Sequence, residues 1–303
     1  MRKILITGGA GFIGSALASI LSKKNKVYVL DLKKQIKKNR NLIKNCKIIS
    51  GDIANIDTFK KIEKNFDIIY HLAAKTSSAM SEKYPADCFK TNVNGTYNLT
   101  QWAQRFKPRS IVFTSSMSVY GKIANNVHEN ALCKPISNYG KSKLLGEKII
   151  KDLSSKKTKV KILRLFNVYG PNQNFDNLKQ GMLSIYLAQI FRKGKLTVTG
   201  SLNRYRDFIY IDDVVNGLVK CVNFKNHDTF NIGSGCRLKV KDLISLIFKK
   251  LELKSDKNIV VKKTSKSDTW GSYANIDRAL QNNWKPKVDI ISGLNNTIKN
   301  IKE

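Results

Sequence analysis

The chain has little that would hold it together other than a core. Its five cysteines, Cys46, Cys88, Cys133, Cys221 and Cys236, are odd in number, widely separated and never in a Cys-x-x-Cys pair. That excludes a disulfide framework and a structural zinc site, predicts no metal centre, and fits a reducing cytoplasm. No run reaches the roughly 18 consecutive apolar residues that a membrane span requires, so no membrane span is expected. Met1-Arg2-Lys3 leads straight into a strand-like segment, giving no expectation of an export signal. Acidic residues are scarce, 22 against 55 basic, for a net charge of +33. A basic surface attracts polyanions. Only ten of the basic residues are Arg, however, and the lysines run from Lys3 to Lys302 without gathering into a tail or stripe. Nucleic acid is therefore not an expected partner; the lysines read as a compositional bias on a solvated surface, and the milder functional reading is a field that speeds capture of an anionic cofactor and substrate.

What is present is a foldable composition: 303 residues, 42% hydrophobic and 9% aromatic, with no long polar tract. Length and composition suggest one large domain with a smaller one. Short apolar runs recur at Ile4 to Thr7, Val27 to Leu30, Lys47 to Ile49, Ile68 to His71, Ile111 to Phe113 and Ile162 to Leu165, with helix-length segments between most of them. Strands apolar on both faces and joined by crossovers make a doubly wound α/β domain with a parallel sheet, a Rossmann fold. We place it at residues 1–169, with parts of 206–235 returning to it. Residues 170–303 read as a smaller α+β substrate domain, with helices near Gln180 to Phe191, Val240 to Leu251 and Ile290 to Ile301. The Lys/Asn-rich patch from Lys33 to Lys47 reads as a solvated loop.

The segment Thr7-Gly8-Gly9-Ala10-Gly11-Phe12-Ile13-Gly14 follows the first strand and opens the first helix. Glycines at 8, 11 and 14 permit a tight turn, close approach of backbone N–H groups to a pyrophosphate, and tight helix–strand packing. Asp31, ending the second strand, can accept hydrogen bonds from ribose hydroxyls and would repel a 2′-phosphate, so NAD is expected over NADP.

These residues do not stand alone. TGGAGFIG at 7–14, Gly51-Asp52-Ile53, His71-Leu72-Ala73-Ala74, Asn92-Val93-Asn94-Gly95-Thr96, Ser115-Ser116 with Val119-Tyr120-Gly121, Tyr139-Gly140-Lys141-Ser142-Lys143, the run Leu163 to Pro171, and Arg206-Asp207-Phe208 occur in that order. Over about the first 235 residues the sequence resembles the NAD-dependent sugar epimerase/dehydratase family of extended short-chain dehydrogenases/reductases. The resemblance implies that Gly8, Gly11, Phe12, Ile13, Gly14 and Asp31 bind NAD, that Asp52 and Ile53 bracket the adenine, and that Ala73 lies along the cofactor. It also implies a nucleoside-diphosphate sugar as substrate, with Asn167 and Arg206 facing its diphosphate.

Tyr139 and Lys143 are four apart and share a helix face. Chance predicts about one or two Tyr-x-x-x-Lys pairs in this composition; position decides, because this pair alone lies in the chain, 23 residues after Ser116. A phenol with an ordinary pKa of about 10 needs a nearby cation to act as a base near neutrality. Lys143, with the positive nicotinamide ring, is expected to bring Tyr139 down, and Ser116 to hold the same substrate hydroxyl.

Ser116 is followed by Met117-Ser118, not by the Asp-Glu of sugar 4,6-dehydratases or the Glu of related decarboxylases, so elimination and decarboxylation are disfavoured. The reading is a C4 epimerase with bound NAD. An NAD-dependent nucleotide-sugar dehydrogenase or reductase acting at C4 is the alternative, and a catalytically idle NAD-sensing scaffold or polyanion-binding protein the third. The C-terminal quarter departs from the pattern: Ser265-Lys266-Ser267-Asp268 precedes Tyr273-Ala274-Asn275 where an Arg-x-Gly-Asp segment is expected. Lys266 or Lys263 supplies a charge there but no bidentate fork. By resemblance, Ser272 lines the sugar pocket and leaves room for a 2-acetamido group, and the chain forms a homodimer through the helix around Asn92 to Gln104 and the helix carrying Tyr139.

Overall fold

The computed structural model describes residues 1–303 apart from 123–124, 156, 174, 176–180, 254–258, 264–269 and 303. Seven parallel strands form its main sheet: β1 (Lys3–Thr7), β2 (Lys26–Asp31), β3 (Lys47–Ser50), β4 (Ile68–His71), β5 (Ser110–Ser116), β6 (Lys159–Leu165) and β7 (Thr229–Ile232). They lie in the order β7-β6-β5-β4-β1-β2-β3. Six of them fall on the apolar runs read from the sequence; β7 does not, because Thr229-Phe230-Asn231-Ile232 shows no continuous apolar run.

Successive residues of one strand feed different layers. Ile4, Ile6, Val27, Val29 and Val112 belong to one hydrophobic cluster, which also takes in residues from Leu183 to Ile298. Leu5, Tyr28, Leu30, Ile111 and Phe113 belong to another. Helices therefore cover both faces, as a parallel sheet demands. The strand order reverses between β1 and β4, and a doubly wound sheet opens a crevice at the carboxyl ends of its strands at such a point.

Among the described residues beyond 170 the α-helices are Met182–Lys193, Ile211–Cys221, Val240–Lys250, Asp277–Leu280 and Ile290–Lys302, with shorter strand pairs between them. Gln180, the expected start of the first of these, lies outside the described residues. The Lys/Asn-rich patch is not a loop: it holds an α-helix, Lys33–Lys38, and a 3₁₀ turn, Arg40–Ile43. Buried Ile36 and Ile43 pin it to the core. Two isoleucines among so many lysines are too sparse to register as a helical period.

Candidate functional site

A cavity of about 890 Å³ opens along the carboxyl ends of β1, β2, β4, β5 and β6, lined by Gly8, Asp31, Ala73, Ser116, Tyr139 and Asn167 among others. Gly11, Phe12, Ile13, Gly14, Asp52, Ile53 and Lys143 line it as well. Two of the glycines are steric necessities. Gly8 has φ +70°, and a Cβ there would stand 2.6 Å from the Ala73 nitrogen; a Cβ on Gly14 would stand 2.1 Å from the Gly8 carbonyl oxygen. The Phe12–Leu21 helix can begin against β1 only without them.

Asp31 is half-buried and already engaged. Its Oδ2 accepts from the Ala10 N–H at 2.9 Å and its Oδ1 from the Leu32 N–H at 2.8 Å. It thus braces the glycine loop as well as facing the cavity. Burial pushes its carboxyl up, against the pull of those two bonds. Asp52 is exposed, and its Oδ1 accepts from the Ala54 N–H at 2.9 Å; Ile53 is buried, with its carbonyl held by Asn98. Gln35, Lys38 and Asn39, from the patch read as a solvated loop, also line the cavity.

At the other end stand Ser116, closing β5, and the Asn138–Lys151 helix, capped by the Ser137 side chain on the Gly140 N–H. Tyr139 and Lys143 occupy one face of its first two turns. Ser116 acts on the Tyr139 phenol, favouring its ionised form, and accepts from the Ser118 N–H at 3.2 Å. The Lys143 ammonium is buried and lies 4.6 Å over the Phe113 ring. Burial lowers Lys143 to about 8, with Glu147 and Cys88 acting the other way. Burial also pushes Tyr139 up to about 12, opposed by the Ser116 hydroxyl and helped by Cys88. Desolvation of the phenolate thus dominates at Tyr139 in the protein by itself, and the lowering ascribed to Lys143 is expected together with the positive nicotinamide ring.

His71, at the end of β4, carried no assigned role in the sequence. It is 1% exposed, its Nδ1 2.7 Å from Thr7 Oγ1 and its Nε2 3.0 Å from Thr96 Oγ1. Burial, with the Lys143 charge, holds it neutral at about 3. It links β1, β4 and the Gly95–Phe106 helix beneath the cavity, and only its place in the His-Leu-Ala-Ala motif hinted at this. Asn92 does similar work, its side chain holding the Lys75 N–H and carbonyl at 2.7 and 3.0 Å and Ser142 at 2.9 Å.

The predicted substrate residues divide. Asn167 lines the cavity, its amide donating to the Asp207 carbonyl at 2.7 Å. Arg206 is buried and donates to the Tyr205 and Trp270 carbonyls at 2.8 and 3.4 Å; it is not among the residues lining the described cavity. The neighbouring Asp207 is fully buried, and its carboxylate accepts from Ser234, Gly235 and Ala274. Ser272 is likewise absent from the described lining and pairs in register with Asn125 in a short parallel ladder. The segment Ser265-Lys266-Ser267-Asp268 lies outside the described residues, and Lys263 is exposed.

Residues 4–233 match the NAD dependent epimerase/dehydratase family. The chain is 32% identical over 305 residues to a putative UDP-glucose 4-epimerase of Methanocaldococcus jannaschii, covering 99% of this chain and 98% of that one. It is 32% identical over 302 residues to UDP-glucuronic acid decarboxylase 6 of Arabidopsis thaliana, covering 96% and 86%. Among solved structures, UDP-glucose 4-epimerase of Thermotoga maritima with UDP-glucose superposes with a TM-score of 0.90 at 28% identity, covering 99% and 98%.

Proposed function

Because the chain belongs to the NAD-dependent epimerase/dehydratase family, we propose that it interconverts the C4 epimers of a sugar carried on a nucleoside diphosphate. NAD is the cofactor, and the residues present fit it. The glycine loop leaves backbone where side chains would intrude, and Asp31 and the Gly51–Ile53 turn line the end of the cavity suited to the adenosine. Bound there, NAD supplies a hydride acceptor and donor for C4 and a positive ring near Tyr139.

The chain's own residues do the proton work. Tyr139 takes the proton of the 4-hydroxyl and returns it, Ser116 holds that oxygen in place, and Lys143 supplies the positive charge that makes the phenolate accessible. Asn167 would steady the diphosphate while the sugar turns its opposite face toward the cofactor site.

The observation that supports epimerisation over elimination or decarboxylation is the turn after Ser116. Met117-Ser118-Val119 places no acid beside the cluster, and the described lining of the cavity contains only Asp31, Asp52 and Asp87 as carboxylates. The similarity to a decarboxylase makes this distinction worth testing directly. Incubation of the NAD-loaded protein with UDP-glucose and with UDP-N-acetylglucosamine, followed by proton NMR of the sugar, should show the C4 epimer of at least one of them appearing without NADH accumulation. Stoichiometric NADH would mark a dehydrogenase, and a pentose or a deoxy-keto product would mark a decarboxylase or dehydratase.

A further inference from the structure

The helix face that carries Tyr139 and Lys143 continues, four residues on, to Glu147. This carboxylate is 1% exposed. It accepts from Arg164 Nε at 2.9 Å, from Arg164 Nη2 at 2.7 Å and from Ser115 Oγ at 2.5 Å. Ser115 and Arg164 face each other in register on β5 and β6, so one side chain ties the helix to both strands. Ser115 is also the direct neighbour of Ser116. The guanidinium is anchored in turn, donating to the Glu129 carbonyl at 3.0 Å and lying 4.8 Å over the Tyr120 ring. Tyr120 donates to Asn231 on β7, whose N–H donates to Glu129 Oε1 at 2.8 Å.

Buried ion pairs are poor stabilisers, since apolar side chains of similar volume often do as well or better. Stability alone therefore gives no reason for this pair in a core otherwise rich in Ile, Leu and Val. Its position gives one. We infer that Glu147, clamped by Arg164 and Ser115, is a positioning residue for Tyr139 and Lys143: it fixes the helix against β5 and β6 and sets a partly neutralised negative charge one turn behind the lysine. This rests on the reading of Tyr139 and Lys143 as the acting groups.

The charged and titratable groups around Lys143 are few. His71 approaches from β4, Cys88 from the Pro85–Phe89 helix, and Tyr139 and Glu147 stand on its own helix, with Arg164 behind Glu147. Glu82 holds only the first residue of the helix, at Asn138. His71 is kept neutral by burial, which leaves Glu147 as the carboxylate that favours the charged lysine.

The test follows Lys143 directly by carbon-13 NMR of lysine Cε in the whole 303-residue chain. A lysine titrating near 8 stands apart from surface lysines near 10.4, and is assigned by its loss in Lys143→Arg. Glu147→Gln, close in size, should move that titration down by about half a pH unit or more, and the alkaline limb of turnover on whichever of the two nucleotide sugars is epimerised should follow it. Ser115→Ala, a milder change that keeps the ion pair, should move it up by a few tenths and lower kcat several-fold with little effect on KM. If both variants lose activity only in proportion to their melting temperatures, with the Lys143 titration unmoved, the inference is wrong. If Tyr139→Phe retains full turnover, the reading of the site fails, whereas the Lys143 titration still decides the role of Glu147.

Discussion

Burial governs the charge states around Tyr139, and two consequences are measurable. Lys143 is lowered from 10.5 to about 8, so the unfolded chain binds its proton over a pH range where the folded chain releases it. Stability from this group rises with pH between about 8 and 10.5, and below 8 the buried cation is a fixed cost. Lys143→Met should therefore raise stability at pH 7, by up to about 3 kcal/mol, while reducing turnover by about a thousand-fold or more; urea unfolding of the variant beside the wild type checks it. His71 is lowered from 6.5 to about 3, so its neutral form belongs to the folded state, and stability is lost as pH falls from about 6.5 toward 3. Between pH 7 and 4.5 the wild type should lose about 2–3 kcal/mol more than His71→Gln, which cannot titrate. Parallel losses in the two proteins would show that His71 is already charged in the fold. At this scale the sequence pointed to Ser116, Tyr139, Lys143 and Asp31, where chemistry narrows the choice of residue, and the fold brings these four to one cavity. The sequence was silent about Glu147 and Arg164, because a buried pair leaves no local pattern: its members are 17 residues apart and meet only once helix and strand have packed.

The elements divide in the same way. Strands buried on both faces announce themselves as apolar runs, and six of the seven were legible. The seventh, Thr229–Ile232, is polar at Thr229 and Asn231 because Asn231 serves the network behind Glu129, donating to the Val127 and Asn275 carbonyls at 2.7 and 3.1 Å. The glycine loop was legible because its requirement is steric and local. Gly14→Ala would drive a methyl to within 2.1 Å of the Gly8 carbonyl oxygen, so the first turn of the Phe12–Leu21 helix must move away from β1. We expect a loss of stability of about 2–4 kcal/mol and a fall in NAD affinity of at least ten-fold, read by calorimetry on whatever fraction remains folded. Gly194→Ala is the control: nothing lies within 4 Å of its Cβ position, and the cost there is only that of a left-handed residue, about 1 kcal/mol, with NAD affinity unchanged.

For the molecule as a whole, charge and shape act in opposite directions. The Gly95–Phe106 and Asn138–Lys151 helices leave Tyr97 52% and Leu145 39% exposed, and large apolar side chains on neighbouring helices are what a four-helix dimer interface would cover. We propose that two copies pair there about a two-fold axis. Each copy carries +33, so pairing works against mutual repulsion that salt relieves, whereas capture of an anionic nucleotide sugar is helped by the same field and weakened by salt. Raising ionic strength should thus tighten the dimer while lowering kcat/KM, a divergence that an uncharged protein would not show. Light scattering at micromolar concentration should give about twice 34.3 kDa at moderate salt, drifting toward the monomer at low salt. Leu145→Glu should leave a monomer at either salt, because a carboxylate at the centre of a desolvated patch costs several kcal/mol. If that variant still pairs, the interface lies elsewhere, and the exposed tyrosine and leucine need another explanation.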